Sequence, residues 1–357
     1  MTRPYLIIPQ LIEQPNWGGS YILELKHWNN NPSYSDKKIG QSYELTGSSQ
    51  LSKLVDSTDP VFSPQSEGFP IQDVLQKNES MPLLIKINQA LGNSFQLHIK
   101  PETQSNRWLP KPESWYFLEP GFISLGLKEG AHVEEYKKTC EEIDGLMQDL
   151  SNEIKLQMLS LEEARTRAHD FIQAKNPWQF INTYKTEKYD LIDLSMGAIH
   201  HSWEENPKEA PLGNIVYEVQ LDVSDDQATV RSFDQGKIKD DGTVRMMNID
   251  DYFEHLDTTQ EHNSLEYMKR TQNGDELLRT RFYSVDLIEV TKTNNVERKT
   301  NKTFHHLYVR DGDVRISAGG TTIRVTKGHS CFIPSSVESY AIDSLSEVSV
   351  LLKTFVG

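Results

Sequence analysis

Four residues of this 357-residue chain could hold a metal ion: Gln96, His98, Glu113 and His200. Gln96 and His98 sit two apart in Phe95-Gln96-Leu97-His98, a β-type run, and alternate side chains of a strand share a face, so both can point at one centre. Glu113, within Lys111-Pro112-Glu113-Ser114-Trp115-Tyr116, and His200, closing Gly197-Ala198-Ile199-His200, could complete a nitrogen and oxygen ligand set. Such a set suits a divalent cation, most simply zinc. A Gln-x-His pair taken alone is more often an ordinary half-buried pair of strand residues. The ordered presence of the other two motifs is what favours the metal.

Short β-type runs separated by turns must position these residues. Residues 1 to 130 carry such runs at Leu6 to Ile8, Leu83 to Ile87, Ser94 to Ile99, Ser114 to Leu118 and Phe122 to Leu127, with turn chemistry at Asn16-Trp17-Gly18-Gly19 and Glu119-Pro120-Gly121. From Val133 to about Lys175 the pattern changes: Ile143, Leu146, Met147, Leu150, Ile154 and Leu161 recur at three-and-four spacing among charged residues, as an amphipathic helix requires. Strand texture returns at Tyr189 to Leu194, Ile215 to Leu221 and from Arg281 onward, and Asn248 to His255 reads as a short helix.

The chain also repeats itself. The segment from Ser114 to Gly121 parallels His306 to Gly312, and Tyr189 to His200 parallels Gly328 to Ser339. Two copies of one β-barrel are implied. Ser339 stands in the second copy where His200 stands in the first, so the second is expected to hold no metal. His305 and His306 then read as ordinary structural histidines.

Composition narrows the function classes. A hydrophobic fraction of 36% and a charged fraction of 25% describe a soluble globular protein. No apolar run nears the roughly 18 residues of a membrane span, and the apolar start is too short for a signal peptide, so a cytoplasmic location is expected with no membrane partner. Cys140 and Cys331 occupy no metal or redox spacing. A net charge of −15 disfavours nonspecific nucleic-acid binding, and an anionic substrate would need a local cluster of Lys and Arg.

Taken in order, these landmarks resemble the type I phosphomannose isomerases, zinc enzymes of the cupin fold that interconvert mannose 6-phosphate and fructose 6-phosphate. The resemblance runs almost end to end. It rests on Pro15-Asn16-Trp17-Gly18-Gly19, on Ile39 to Thr46, on Pro82 to Ile87 with Ser94 to His98, on Lys111-Pro112-Glu113, and on Tyr217 to Gln220 with Ser224 to Arg231. It implies a mainly β chain of two cupin-type jelly-roll barrels with an α-helical insertion. The catalytic metal-binding barrel would comprise 1–130 and 178–260, the insertion 131–177, and a C-terminal barrel without metal 261–357.

Residue by residue, the resemblance makes Gln96, His98, Glu113 and His200 ligands of one zinc ion per chain. It places Ser94 and Lys237 at a substrate site for a small sugar phosphate, makes Arg231 catalytic, sets Lys111 beside the sugar, and puts Glu218 close to the reacting carbons. Aldose and ketose exchange by moving a proton between C1 and C2 through an enediol(ate), and Glu218 and Lys111 are the candidates to carry it. Lys111 could assist ring opening if the cation lowers its pKa. His201 is given no role, although a slipped register would exchange it with His200. The segment Glu204 to Gly213 is expected to be an acidic surface loop. A catalytically weak cupin that senses a sugar or sugar phosphate is the alternative, and iron-type oxygen chemistry is disfavoured by the Gln ligand and the cationic cluster.

Overall fold

Strands form where apolar residues alternate, and the structure, a computed structural model, has them close to the expected places. It describes residues 2–357 except 16, 78, 91, 93, 198, 203–207 and the side chains of 201 and 202. The side chain of the alternative ligand His201 and the first part of the acidic 204–213 segment therefore lie outside what is described; Lys208 and Glu209 of that segment are exposed. No described helix is long and apolar enough to cross a membrane.

Among the described residues the strands form four sheets. A seven-stranded sheet includes Leu191–Asp193, Glu113–Phe117, Asn214–Leu221 and Leu83–Ala90 as consecutive neighbours. A five-stranded sheet runs Ile181–Thr186, Gly121–Leu127, His200–Ser202, Phe95–Leu97, Val230–Phe233. The side chains between these two sheets, Trp115, Phe117, Ile123, Leu125, Ile192 and Val216, make a small core of their own.

The remaining sheets, of eight and four strands, repeat this wiring. Ser330–Ile333, His305–Asp311, Val348–Phe355 and Ser284–Thr291 follow one another as their counterparts do in the seven-stranded sheet. The register matches the sequence repeat: Trp115 pairs with Ile192 as Leu307 pairs with Cys331, and Gln96 pairs with His200 as Lys299 pairs with Ser339. One buried ion pair is kept with its sign reversed. Lys86 and Glu218 are register partners 3.0 Å apart, and Asp286 and Lys353 take the equivalent places 2.6 Å apart. His305 and His306 are buried and bonded to Tyr340 and Tyr217, and desolvation pushes both imidazoles down to about 3.

Sheet membership crosses the boundaries drawn from sequence. Tyr5–Ile8, Gln50–Ser52 and Gly68–Pro70 join the eight-stranded sheet, while Lys269–Arg270 joins the seven-stranded one. The outward face of the seven-stranded sheet, through Ile85, Ile87, Tyr116 and Tyr217, shares one apolar core with the C-terminal strands.

The continuous helical pattern after Val133 is two helices, Val133–Lys155 and Leu161–Lys175. Gln157 turns the chain with a positive φ, and Ser160 starts the second helix through a reciprocal capping box with Glu163. The strands on either side of the pair, Gly121–Leu127 and Ile181–Thr186, are themselves hydrogen-bonded neighbours. Tyr136, Ile143, Leu150, Ala164, Ala168 and Ile172 share a core with Phe95, Leu97 and Val230, so the helices cover one face of the five-stranded sheet. Ile249–His255 is the expected short helix.

A buried cation ties the N-terminal segment to the C-terminal strands. Lys26 Nζ lies 2.8 Å from Glu44 Oε1 and donates to Gly328 O, while Ser330 Oγ donates to Glu44 Oε2. Lys26→Ala leaves Glu44 buried without its counter-charge, and we expect a loss of about 3–5 kcal/mol in urea unfolding. Lys26→Met with Glu44→Leu should recover much of that loss.

Candidate metal centre and its cleft

The strand Phe95–Leu97 lies between two others, and both His200 and Arg231 stand opposite Gln96. Directly paired residues share a face. Because Phe95 and Leu97 turn to the helices, Gln96 and its two partners turn the other way, toward the facing sheet. There Glu218 stands between Trp115 and Lys86. Two rows of polar residues thus confront one another across the space between the sheets.

At the base of that space the ligand atoms of His98, Glu113 and His200 all lie within 4.8 Å of one another, and all three residues are buried. Glu113 Oε1 is 2.9 Å from His200 Nε2, and Glu113 Oε2 is 3.2 Å from His98 Nε2. The Gln96 side-chain amide reaches His200 Nε2 at 2.9 Å. His98 Nδ1 donates to Ala228 O at 2.7 Å, which leaves the Nε2 lone pair facing the cluster. Burial pushes the His98 imidazole down, so it stays neutral. Trp115 Nε1 donates to Glu113 Oε1. Burial would push the Glu113 carboxyl up, yet Lys111 and the two imidazoles hold it well below the usual carboxylate range.

His98 Nε2 and Glu113 Oε2 are buried and make no hydrogen bond. Two buried ligand atoms without a hydrogen bond, beside a second imidazole nitrogen, that of His200, and an amide, fit a divalent cation. Gly197, at φ +79°, brings its backbone so close to His98 that a Cβ would stand 2.5 Å from the His98 carbonyl oxygen. This contact holds the segment before His200 against the chain just after the strand Phe95–Leu97.

Above the ligands opens a cleft of about 410 Å³ lined by Ser94, Gln96, Lys111, Glu113, Glu218, Arg231 and Lys237. The structure therefore gathers all nine residues singled out from sequence, with His98 and His200 beneath Glu113. Arg231 Nε donates to Ser94 Oγ at 3.1 Å, and Lys237 Nζ donates to Gly92 O. Trp17 and Gln14 line the mouth, and Gly40 makes room for the indole, since a Cβ there would lie 2.5 Å from its ring.

Lys111 is surrounded by carboxylates. Burial alone would lower its pKa, but Glu113, Asp225 and Glu218 raise it, with Asp225 Oδ1 at 2.9 Å and Glu113 Oε2 at 3.3 Å. Around this lysine the protein supplies carboxylates, so it is a charged donor. Burial and the nearby Glu113 raise the Glu218 carboxyl, against Lys86 and Lys111 which lower it.

Sequence reasoning missed Lys86, Asn88 and Asp225. Lys86 Nζ reaches Glu218 Oε1 and Asn88 Nδ2 donates to Oε2, so both oxygens are held. A signal was present: Lys86 and Asn88 are alternate polar residues in the wholly buried strand Leu83–Ala90. Asp225 carried none, since its contacts with Lys111 and Arg231 come from a short turn after the strand.

If this centre takes metal, purified protein will bind about one zinc per chain, and Glu113→Ala will weaken uptake at least about tenfold by metal analysis after dialysis. An unchanged far-UV spectrum would show that the loss is local.

Comparison with known proteins agrees with this fold. Residues 275–351, in the C-terminal half and outside the ligand cluster, match the family model "Mannose-6-phosphate isomerase, cupin domain". Mannose 6-phosphate isomerase from Bacillus subtilis superposes with a TM-score of 0.66 at 14% identity, over 99% of each chain. A variant of phosphomannose isomerase from Salmonella typhimurium gives 0.67 at 12% identity over 100% of each chain. A zinc-bound mannose 6-phosphate isomerase gives 0.65 at 13% identity over 99% of each chain. Curated protein sequences give no match. By family model and by fold the chain resembles the mannose-6-phosphate isomerases of the cupin superfamily, with residues 275–351 matching that family's cupin domain.

Proposed function

We propose that the protein is a zinc-dependent aldose–ketose isomerase that interconverts mannose 6-phosphate and fructose 6-phosphate. The observation that carries this reading is the buried His98–Glu113–His200 cluster at the floor of a cleft whose walls hold Glu218, Lys111 and Arg231. The catalytic barrel would be built mainly from 1–130 and 178–260, the helical insertion from 131–177, and a second cupin barrel from 261–357, with the strand exchange described above.

Gln96, His98, Glu113 and His200 would hold one zinc ion. When bound, zinc supplies a Lewis acid that polarises a substrate oxygen. The chain's own groups do the rest. Glu218, with its carboxyl raised and both oxygens fixed by Lys86 and Asn88, takes the proton at C2 and returns it at C1. Lys111, held charged by its carboxylate neighbours, donates to sugar oxygens. Arg231, buried deeply enough that its guanidinium is partly desolvated, presents planar donors to the developing enediolate. Ser94 and Lys237 face the phosphate.

A coupled assay for fructose 6-phosphate formation tests this directly: turnover should vanish on chelation and return with zinc. Glu218→Gln should lower kcat by about 10²–10⁴-fold while metal content is kept. Full activity in that variant would remove Glu218 from proton transfer, and no turnover by zinc-loaded wild type would remove the isomerase reading.

A further inference from the structure

The cleft carries more positive charge than the groups so far assigned require. Six Lys and Arg side chains line it against four carboxylates, in a chain whose net charge is −15. Lys86 and Lys111 are consumed by Glu218, Glu113 and Asp225. The excess sits higher, on residues 234–247, an irregular strap that adds Lys237, Lys239 and Arg245 to the lining.

The strap is built to aim these cations. Ile238 is buried in the helix-covered core, so Lys237 and Lys239 on either side of it both turn outward to the cleft. Lys239 N donates to Thr243 O, closing a tight turn with Gly242 at its tip. The two helices clamp that turn: Ser151 Oγ donates to Gly242 O, and Arg165 donates to Ile238 O and to Asp240. Arg245 has one carboxylate near, Asp234 at 3.4 Å, and Lys239 forms no ion pair among the described residues. Burial and then the neighbouring Arg245 disfavour the Arg231 charge, against Asp225 and Asp234, which favour it.

We propose that Lys239 and Arg245 are specificity-determining residues: a cationic rim, held by the helical pair, that admits a phosphorylated sugar and rejects the unphosphorylated one. The identity of the sugar rests on the isomerase reading; the anion preference does not. Charge-assisted hydrogen bonds from an exposed rim to a dianion give selectivity and faster capture.

The test uses Lys239→Ala with Arg245→Ala, both at exposed positions that the fold does not depend on. Inorganic phosphate is the first probe, measured by calorimetry on zinc-loaded wild type and double variant. A loss of about tenfold in affinity, partly restored by Arg245→Lys, supports the rim. Equal affinity in both proteins, or no phosphate binding by wild type at millimolar concentration, overturns it. In kinetics, KM for mannose 6-phosphate should rise about tenfold, more than kcat falls, and the gap between variants should shrink with added salt. Phosphate binding that depends on the rim in a protein without isomerase turnover would uphold the rim and remove the isomerase reading.

Discussion

A carboxylate taken out of water must be paired, and the centre of this protein is organised around that demand at Glu113. The side chain is almost wholly buried; Lys111 beside it holds it ionised, the Trp115 indole N–H donates to it, and the His98 and His200 imidazoles pack against its two oxygens. Each partner arrives on a different segment: Lys111 just ahead of the strand Glu113–Phe117, His98 just after Phe95–Leu97 of the facing sheet, His200 at the start of that sheet's central strand. The requirement that all of them meet one carboxylate fixes the spacing and register of two sheets. Lys111 in turn needs Asp225, and the turn holding Asp225 also supplies the Ala228 carbonyl that orients His98. Removing any one group leaves another buried and unsatisfied.

Much of this was legible in the chain because period-two patterns translate directly into faces. Gln96 and His98 alternate with Phe95 and Leu97, and the structure sends the first pair to the ligand cluster and the second to the helices. The repeat was legible for the same reason, down to the correspondence of His200 with Ser339. Long-range pairing was not. Nothing local in Tyr5–Ile8 says that it will hydrogen-bond to Ser330–Ile333, because strand partners are chosen by shared cores that form between distant segments. The helical run was read as one element since its apolar period continues through the break; the break is set by Ser160 and Glu163, a cap that the period alone does not show. The carboxylates around Lys111 were not legible either, because Asp225 and Glu218 reach it only once distant segments fold together.

The helical pair shows how a part remote from the ligands can still shape the site. One face fills the groove over the five-stranded sheet, and its far edge grips the strap by backbone carbonyls. Such bonds fix the path of the chain while leaving the strap's side chains free to face the cleft. Rigidity is thereby borrowed from helices, where it is easily built, and delivered to an irregular segment, where it is not.

Two halves wired alike create a hazard during folding, since a strand of one half could pair with the counterpart neighbour in the other. The sign-reversed ion pair bears on this. Were Leu83–Ala90 to pair in equivalent register with Val348–Phe355, Lys86 would be buried against Lys353; were Ser284–Thr291 to pair with Asn214–Leu221, Asp286 would be buried against Glu218. Both mispaired sheets would confine like charges without a counter-ion, whereas each native sheet confines a neutral pair. The reversed polarity thus labels the strands by origin, so that a duplicated architecture can assemble from one chain without exchanging its parts.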